Sequence, residues 1–404
     1  MRKVIFGLLV LCPLWAAAAM GAEAAPADQP QNVILMGWDG PHRDQVRALL
    51  KEEKLPNLKA LIAEGALVDV DVTSGATDTK AGWTQILTGY RPEVSGVYSN
   101  GRYRDVPAGL SVFERLKAHF GAEKFAALAV IGKKGHCGEI NAPFKKPYAP
   151  ATDDAKQGAP KAGAAKEGAA KKGGAKQPGF TEKGLGHVVE EGGQKFLVFE
   201  GSPYYTMHKA CDEWQFGLME DAKVGDAALS ALDKYKDRRF FMFVHLAEVD
   251  HSGHKHGEAS KEYNDAIISG DTQLGRLVEK LKALGLYAKT RIYVTADHGF
   301  DVGGSGHGYA PFVFLATNDK AVCRAGTRAD ITPTILDRFG LDLAKFEPKL
   351  DGESLARPAT RPVEKAAAKK EVGAKAGGKA GGKRAGKAGA GGEAVVPQPA
   401  AARP

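Results

Sequence analysis

The sequence predicts an α/β fold, in which a mixed, mostly parallel β-sheet is sandwiched by helices. Two observations support this prediction. Short runs rich in β-branched and aromatic residues alternate with amphipathic stretches along residues 31–355, which is the order of elements in α/β proteins. The longest amphipathic stretch, residues 261–284, carries its apolar residues largely on one face, as a helix lying on a sheet should. We also expect a small cap region.

Six apolar runs are predicted strands, and five amphipathic stretches are predicted helices. The strands are residues 32–36, 126–131, 195–199, 240–246, 291–295 and 312–315. The helices include residues 57–64, 80–87, 225–236, 261–284 and 330–339. Together they define one domain over residues 31–355.

Two Lys/Ala/Gly-rich segments stand apart from this pattern, an insert at residues 151–178 and a tail at residues 356–404. They contain almost no large apolar side chains, so burial cannot offset the entropy of ordering, and we expect disorder. Their basic stretches explain the formal net charge of +8, because the rest of the mature chain is acidic. These arms predict at most a weak, salt-sensitive contact with anionic polymers and no specific nucleic-acid recognition.

The first 22 residues have the features of a cleaved signal peptide. Arg2 and Lys3 precede a short apolar run, which is followed by small residues. A membrane anchor is the alternative, but it needs about 20 apolar residues. We therefore expect a periplasmic or secreted protein. Its remaining cysteines, Cys137, Cys211 and Cys323, permit one disulfide and require none.

Six acidic and histidine residues follow three of the predicted strands. They are Asp39, Asp250, His254, Asp297, His298 and His307. In open α/β sheets, ligands bind beyond the carboxyl ends of the strands, so these side chains should meet there. Three carboxylates and three imidazoles suffice for two divalent metal ions with open positions, which is a catalytic zinc pattern, with Mn or Fe as alternatives. Each motif alone is also common in turns and helix caps.

The other histidines near these strands have different predicted places. His251 and His256 fall outside the four-residue spacing of Asp250 and His254, so we interpret them as solvent-facing or as lying behind the ligands. His245 lies within a predicted strand, and we expect it to point into or beside the core.

Thr79 is the candidate nucleophile. Two metal ions among carboxylates favour attack on phosphoryl-type groups. Thr79 lies at the start of the helix predicted around residues 80–87, where the helix dipole and free backbone N–H groups favour an alkoxide and a bound phosphate. Threonine is also a common N-cap, and the local sequence does not choose between the two roles.

Several motifs, taken in chain order, resemble the alkaline phosphatase superfamily. They are Asp39 with Gly40, Thr79, residues 87–89 (LTG), residues 91–96 (RPEVSG), Asp250 with His254, and residues 295–299 (TADHG). The set looks most like the type I phosphodiesterase/nucleotide pyrophosphatase branch and related threonine phosphatases. The resemblance extends from about residue 32 to residue 355 and implies the fold of that superfamily.

The resemblance implies two metal sites. One site would be formed by Asp39, Thr79, Asp297 and His298, and the other by Asp250, His254 and His307. Thr79 would attack the phosphorus atom and form a phosphothreonine intermediate, which water then hydrolyses.

The resemblance also implies two substrate-binding residues. Asn100 matches an asparagine that donates a hydrogen bond to a phosphoryl oxygen. Three lysines are candidates for the cation that a monoester needs, namely Lys80, Lys133 and Lys134, and Lys133 matches best the position of the lysine in threonine phosphatases.

We therefore predict an exported two-metal hydrolase that acts on small phosphodiesters or phosphomonoesters. A sulfatase-like or phosphonate hydrolase of the same superfamily is the first alternative, although residues 79–83 (TKAGW) lack the proline and arginine of the sulfatase motif. A non-catalytic surface protein that binds phosphate or polyanions is the alternative from another class.

Overall fold

The computed structural model describes residues 29–148, 181–182 and 187–367. The predicted signal peptide (1–22), the insert (151–178) and the tail from residue 368 onward lie outside the described residues. Within the described part of the chain, none of the helices combines the length and the hydropathy needed to cross a membrane. The three cysteines there are all free thiols.

The described strands and helices are numbered in chain order. The strands are β1 (Asn32–Trp38), β2 (Ala66–Asp71), β3 (Arg102–Tyr103), β4 (Phe125–Ile131), β5 (Phe144–Pro147), β6 (Thr181–Glu182), β7 (His187–Glu191), β8 (Gln194–Phe199), β9 (Glu213–Phe216), β10 (Arg239–Leu246), β11 (Thr290–Ala296), β12 (Phe312–Thr317) and β13 (Gly326–Thr327). The helices are α1 (Arg43–Lys51), α2 (Pro56–Glu64), α3 (Thr79–Thr88), α4 (Pro92–Ser95), α5 (Val112–Phe120), α6 (Tyr205–His208), α7 (Asp221–Tyr235), α8 (Glu248–His256), α9 (Lys261–Ala283) and α10 (Ile331–Arg338).

An eight-stranded sheet forms the centre of the fold, in the order β13-β2-β12-β11-β1-β10-β4-β9. Neighbouring strands are parallel except at β12, which runs antiparallel to both β2 and β11. Every residue of β1 is buried, as expected of a strand covered on both faces. The prediction of a mixed, mostly parallel sheet is confirmed.

The register of the central strands sets the position of the polar residues that follow them. Trp38, the last residue of β1, lies opposite Leu246 of β10 and Ala296 of β11. The three strands are parallel neighbours and end at the same level. The chain segments that begin at residues 39, 247 and 297 therefore leave the sheet side by side.

The helices form two packed groups. Helices α1, α2, α7, α8 and α9 contact one another and the sheet, while α3, α4, α5 and α10 form the second group. Helix α9 begins at Ser260, whose side chain accepts a hydrogen bond from Tyr263 N at 3.1 Å. All five predicted helices are present, with ends shifted by a few residues.

The structure differs from the predicted elements in three places. Residues 195–199 form a strand, but β8 pairs with β5 and β7 in a separate antiparallel sheet outside the main one. Three strands of the main sheet, β2, β9 and β13, and the short strands β3, β5, β6 and β7 outside it were not predicted, because they are short or interrupted by charged and polar residues. The histidine-rich stretch after β10 is helix α8, whereas the sequence pattern did not distinguish it from a loop.

The folded domain extends past residue 355, where the sequence pattern placed its end. Residues 356–367 are described, and the compact unit continues to Ala367. Arg357 Nε lies 2.9 Å from an Asp337 carboxylate oxygen, and Ala366 N donates to Asp71 Oδ2 at 3.0 Å. These residues lack large apolar side chains, so hydrogen bonds and ion pairs hold them on the domain. The predicted start of the tail at residue 356 is therefore corrected.

Candidate metal centre and nucleophile

The first group of candidate ligands lies on α8 and on the loop after β11. His254 Nε2 is 3.4 Å and His307 Nε2 is 3.8 Å from Asp250 Oδ1, and the two histidine nitrogens are 3.2 Å apart. Asp250 and His254 project from the same face of α8, because residues four apart lie one turn above each other. This is the set that the resemblance assigned to one metal.

A glycine determines how closely α8 approaches this loop. A Cβ atom on Gly253 would lie 2.5 Å from Cζ of the Phe300 ring, a distance that side chains do not adopt. Phe300 is buried. Gly253 therefore allows the helix that carries Asp250 to dock against the segment that carries His307.

The second group joins the ends of β1 and β11 to α8. His298 Nε2 is 3.6 Å from Asp39 Oδ1, 3.4 Å from Asp297 Oδ2 and 4.0 Å from Asp250 Oδ1. The structure thus brings together three of the four residues predicted to form the site around Thr79, namely Asp39, Asp297 and His298. Asp250 lies in contact range of both groups, a sharing that the sequence did not indicate.

The environment of these side chains fits divalent cations. Asp250 Oδ1, Asp297 Oδ2 and His298 Nε2 are buried atoms without a hydrogen-bond partner in the described structure. A buried polar atom without a partner is costly, and three carboxylates face a single ammonium group at this point, that of Lys133. Mixed carboxylate and imidazole donors suit zinc and related metals, so the residues fit such ions.

Burial and the close approach of charged groups shift the pKa values of the candidate ligands. Burial and the neighbouring His307 lower the pKa of His298 to about 3, so its imidazole is neutral and its nitrogen lone pair is available to a metal. Burial and the charge of Asp39 raise the pKa of Asp297 well above its usual value. Burial and the charge of Asp39 oppose ionisation of Asp250, but the adjacent His254 imidazole and the charge of Lys133 outweigh them, and the pKa of Asp250 lies below the ordinary range.

Thr79 is the first residue of α3, and the N-cap is Asp78. The Asp78 carboxylate accepts a hydrogen bond from Ala81 N at 3.3 Å, so the cap role that was open for Thr79 belongs to its neighbour. Thr79 is buried, and its Oγ1 lies 2.9 Å from Lys133 Nζ. A Cβ on Gly82 would lie 2.5 Å from Asp297 Cβ, so glycine at this position lets α3 pack directly on the metal-ligand segment.

Asn100 lies beside the first turn of α3. Its backbone N–H donates to Asp78 Oδ2 at 2.7 Å, and its side-chain oxygen accepts from Lys80 N at 2.8 Å. The amide nitrogen lies 3.4 Å from His136 Nδ1. Because the side-chain oxygen accepts a hydrogen bond from the helix backbone, the amide N–H₂ group of Asn100 is left to donate a hydrogen bond to a ligand.

Lys133 occupies the centre of the cluster. Its Nζ is 2.9 Å from Asp39 Oδ1 and 2.8 Å from Asp250 Oδ2, in addition to its contact with Thr79. Burial would lower the pKa of Lys133, but Asp39 and Asp250 raise it above the usual value. The other candidate cations lie elsewhere. Lys80 is buried against Glu139 and the Tyr103 ring, and Lys134 is exposed.

Two residues that support the site were missed at the level of sequence. His245 is fully buried and its Nε2 lies 2.9 Å from Asp39 Oδ2, which orients that carboxylate. The only available signal was a polar residue in the apolar run of β10. Arg328 donates to the Asp297 carbonyl oxygen at 2.8 Å and to Ser74 O at 2.8 Å, and no motif marks it. His251 and His256 are exposed.

The fold and the site together define a candidate metal centre at the strand ends of an α/β sheet, next to a buried threonine at a helix start. The chain belongs to the type I phosphodiesterase / nucleotide pyrophosphatase family, whose profile matches residues 33–304. The matched region contains every candidate ligand except His307.

Individual relatives match over short segments. The bis(5'-adenosyl)-triphosphatase ENPP4 of Pongo abelii is 40% identical over 60 residues, which are 15% of this chain and 13% of that protein. GPI ethanolamine phosphate transferase 1 of Mus musculus is 34% identical over 112 residues, 25% of this chain and 12% of that protein. The matches thus span a small part of each relative's length. A solved protein in the alkaline phosphatase superfamily from Vibrio parahaemolyticus has a TM-score of 0.46 and 14% identity, covering 82% of this chain and 71% of that one.

Proposed function

We propose that this protein is an exported phosphoester hydrolase with two divalent metal ions, zinc in preference to other metals, and Thr79 as its nucleophile. The observation that carries the proposal is the position of Thr79 Oγ1, 2.9 Å from the Lys133 ammonium that also contacts Asp39 and Asp250. The proposal of export to the periplasm or outside the cell is supported by the first 22 residues of the sequence, which have the pattern of a cleaved signal peptide.

Different residues have different roles in the proposed phosphoryl transfer. Metal ions held by the two ligand groups would supply Lewis-acid stabilisation of charged oxygens and lower the pKa of groups bound to them. The Lys133 ammonium, 2.9 Å from Thr79 Oγ1, would contact a charged phosphoryl oxygen of the bound ester. The amino end of α3 and the Asn100 amide donate hydrogen bonds to phosphoryl oxygens.

Two displacements complete the proposed reaction. In the first, the Thr79 Oγ1–P bond forms while the P–O bond to the leaving alcohol breaks. In the second, water attacks phosphorus and the bond to Thr79 breaks, which releases the phosphate product and restores the hydroxyl. The site is buried, which strengthens each electrostatic contact relative to water.

A substrate panel tests the proposal. The purified full chain, loaded with zinc, should hydrolyse aryl phosphate monoesters or diesters and lose this activity on chelation, because three buried carboxylates need metal cations. Sulfate esters should react far more slowly, since the sulfatase nucleophile motif is absent. A protein that stays folded but binds no divalent metal and cleaves no phosphate ester would instead favour the non-catalytic, polyanion-binding alternative.

Lys133→Ala should slow monoester cleavage far more than diester cleavage. A monoester presents an additional charged oxygen away from the metals, and removal of a donor that acts on transition-state charge costs on the order of 10²–10³ in rate. The measurement is kcat/KM for an aryl monoester and a diester. Lys134→Ala is the matched control, because Lys134 is the exposed neighbour. Equal losses on both ester types would show that Lys133 does not select the monoester.

A further inference from the structure

A cavity of about 800 Å³ adjoins the candidate metal centre. Its inner wall includes His254 and His307, both from the first ligand group, together with Thr77 and Asp78 next to the nucleophile. The volume is typical of small-molecule sites. A space of this size exceeds the needs of a bare phosphate group and can accept an organic substituent.

The outer wall of this cavity comes from the end of the described chain. Residues 357–367, here named the C-terminal strap, follow the predicted end of the domain, and residues 364–367 line the cavity together with the two histidines. Glu364 forms an ion pair with Arg91, and Ala366 N donates to Asp71 Oδ2 at 3.0 Å. Tyr309 donates a hydrogen bond to Ala367 O. Three polar contacts thus hold the strap on the domain.

The Asp250 carboxylate lies between the Lys133–Thr79 pair and the two histidines of the cavity wall. Asp250 Oδ2 contacts Lys133, which holds Thr79, whereas Asp250 Oδ1 faces His254 and His307. In an in-line displacement the leaving oxygen departs on the side opposite to the attacking oxygen. A substituent that points away from Thr79 therefore points toward the cavity and the strap.

We propose that the C-terminal strap is a specificity-determining wall that contacts the organic substituent of the phosphate ester and selects bulky substituents over small ones. This inference rests on the proposed phosphoester hydrolysis. The wall offers the Tyr309 ring and the exposed ammonium of Lys365, a combination that suits a planar substituent with polar or negative groups. The strap lies outside both ligand groups, so it acts on selectivity and leaves the chemistry of the phosphoryl group unchanged.

The test compares two phosphodiesters that share a methyl substituent and differ in the leaving group, methyl 4-methylumbelliferyl phosphate and methyl phenyl phosphate. The full-chain variant Glu364→Arg/Ala366→Pro reverses one anchor charge and removes the N–H of the other. We expect the ratio of kcat/KM for the umbelliferyl ester to that for the phenyl ester to fall about tenfold relative to the wild-type ratio, mainly through KM. The matched control, Glu371→Arg/Ala374→Pro, makes the same changes beyond the described residues and should leave the ratio within about twofold.

Exchanging the two charges of the Arg91–Glu364 ion pair gives an independent test of the same ratio. Glu364→Arg alone should lower the ratio, and adding Arg91→Glu should restore most of it, because the ion pair is then rebuilt in the opposite sense. Equal ratios for the strap variant and its control would overturn the proposal. If the full wild-type chain cleaves neither of these diesters nor an aryl phosphate monoester, the proposed hydrolysis fails instead. The same comparison is then made with dissociation constants of the two esters, where equal constants in all variants would refute the wall.

Discussion

Thr79→Ala should lower kcat for both monoesters and diesters by about 10⁴-fold or more, because loss of a nucleophile removes the covalent route entirely. Thr79 is buried at the start of α3, and its hydroxyl contacts Lys133 Nζ. The helix keeps its N-cap in the variant, since the cap is the Asp78 side chain. Folding should therefore stay unchanged while turnover is lost.

Thr79→Ser is the matched control for this prediction. Serine keeps the hydroxyl and loses only a methyl group, so it should retain measurable turnover and still form a covalent phosphoenzyme that can be detected by mass spectrometry after acid quenching. The alanine variant should show no phosphoenzyme. Retention of more than about a tenth of the wild-type kcat by Thr79→Ala would point to direct attack by water and would remove Thr79 as the nucleophile.

Asp250→Asn should reduce the bound metal from about two ions per chain to nearly none, because Asp250 contacts both ligand groups. Its Oδ1 lies 3.4 Å from His254 Nε2 and 4.0 Å from His298 Nε2. An amide is nearly isosteric with the carboxylate, so the fold should persist, but the shared negative charge is gone. Metal content by elemental analysis measures the effect, and circular dichroism checks the fold.

Two further variants make the Asp250 prediction specific. His254→Ala affects one ligand group only and should retain about one ion per chain. Asp265→Asn, a change at a half-exposed carboxylate on α9 that pairs with Lys261, should retain the full content. If Asp250→Asn and His254→Ala lose the same amount of metal, the two groups do not share Asp250 in the way the structure indicates.

The central strands were predictable, and the reason is their burial. Strands β1, β10 and β11 are covered on both faces, so they read as continuous apolar runs that end at polar residues. Strand β2 (ALVDVD) alternates with acidic residues and β13 has two residues, so neither gives such a signal. Strand β8 was found, but its pairing was not, because the pairing depends on the neighbouring β7 and not on the run itself.

The sequence predicts which residues belong to the candidate site, but it does not predict how they are arranged in space. Asp250 and His254 are four residues apart, which becomes a shared helix face only once the stretch is known to be α8. That Asp250 also reaches His298 depends on how closely α8 docks on Phe300, which Gly253 permits. His245 and Arg328 act through hydrogen bonds to Asp39 and to the Asp297 carbonyl, contacts that no sequence spacing encodes.

The site is assembled from parts of the chain that are far apart, and this separation links the abundance of the folded protein to metal supply. Gly40 N donates to Asp297 Oδ1 at 3.3 Å across 257 residues of sequence. An unfolded chain therefore offers a metal ion only adjacent pairs of donors, whereas the folded chain offers both groups at once. Ions that bind the folded form preferentially stabilise it by mass action. In the proposed location outside the cytoplasm, we expect the free metal concentration to affect the fraction of chains that survive proteolysis.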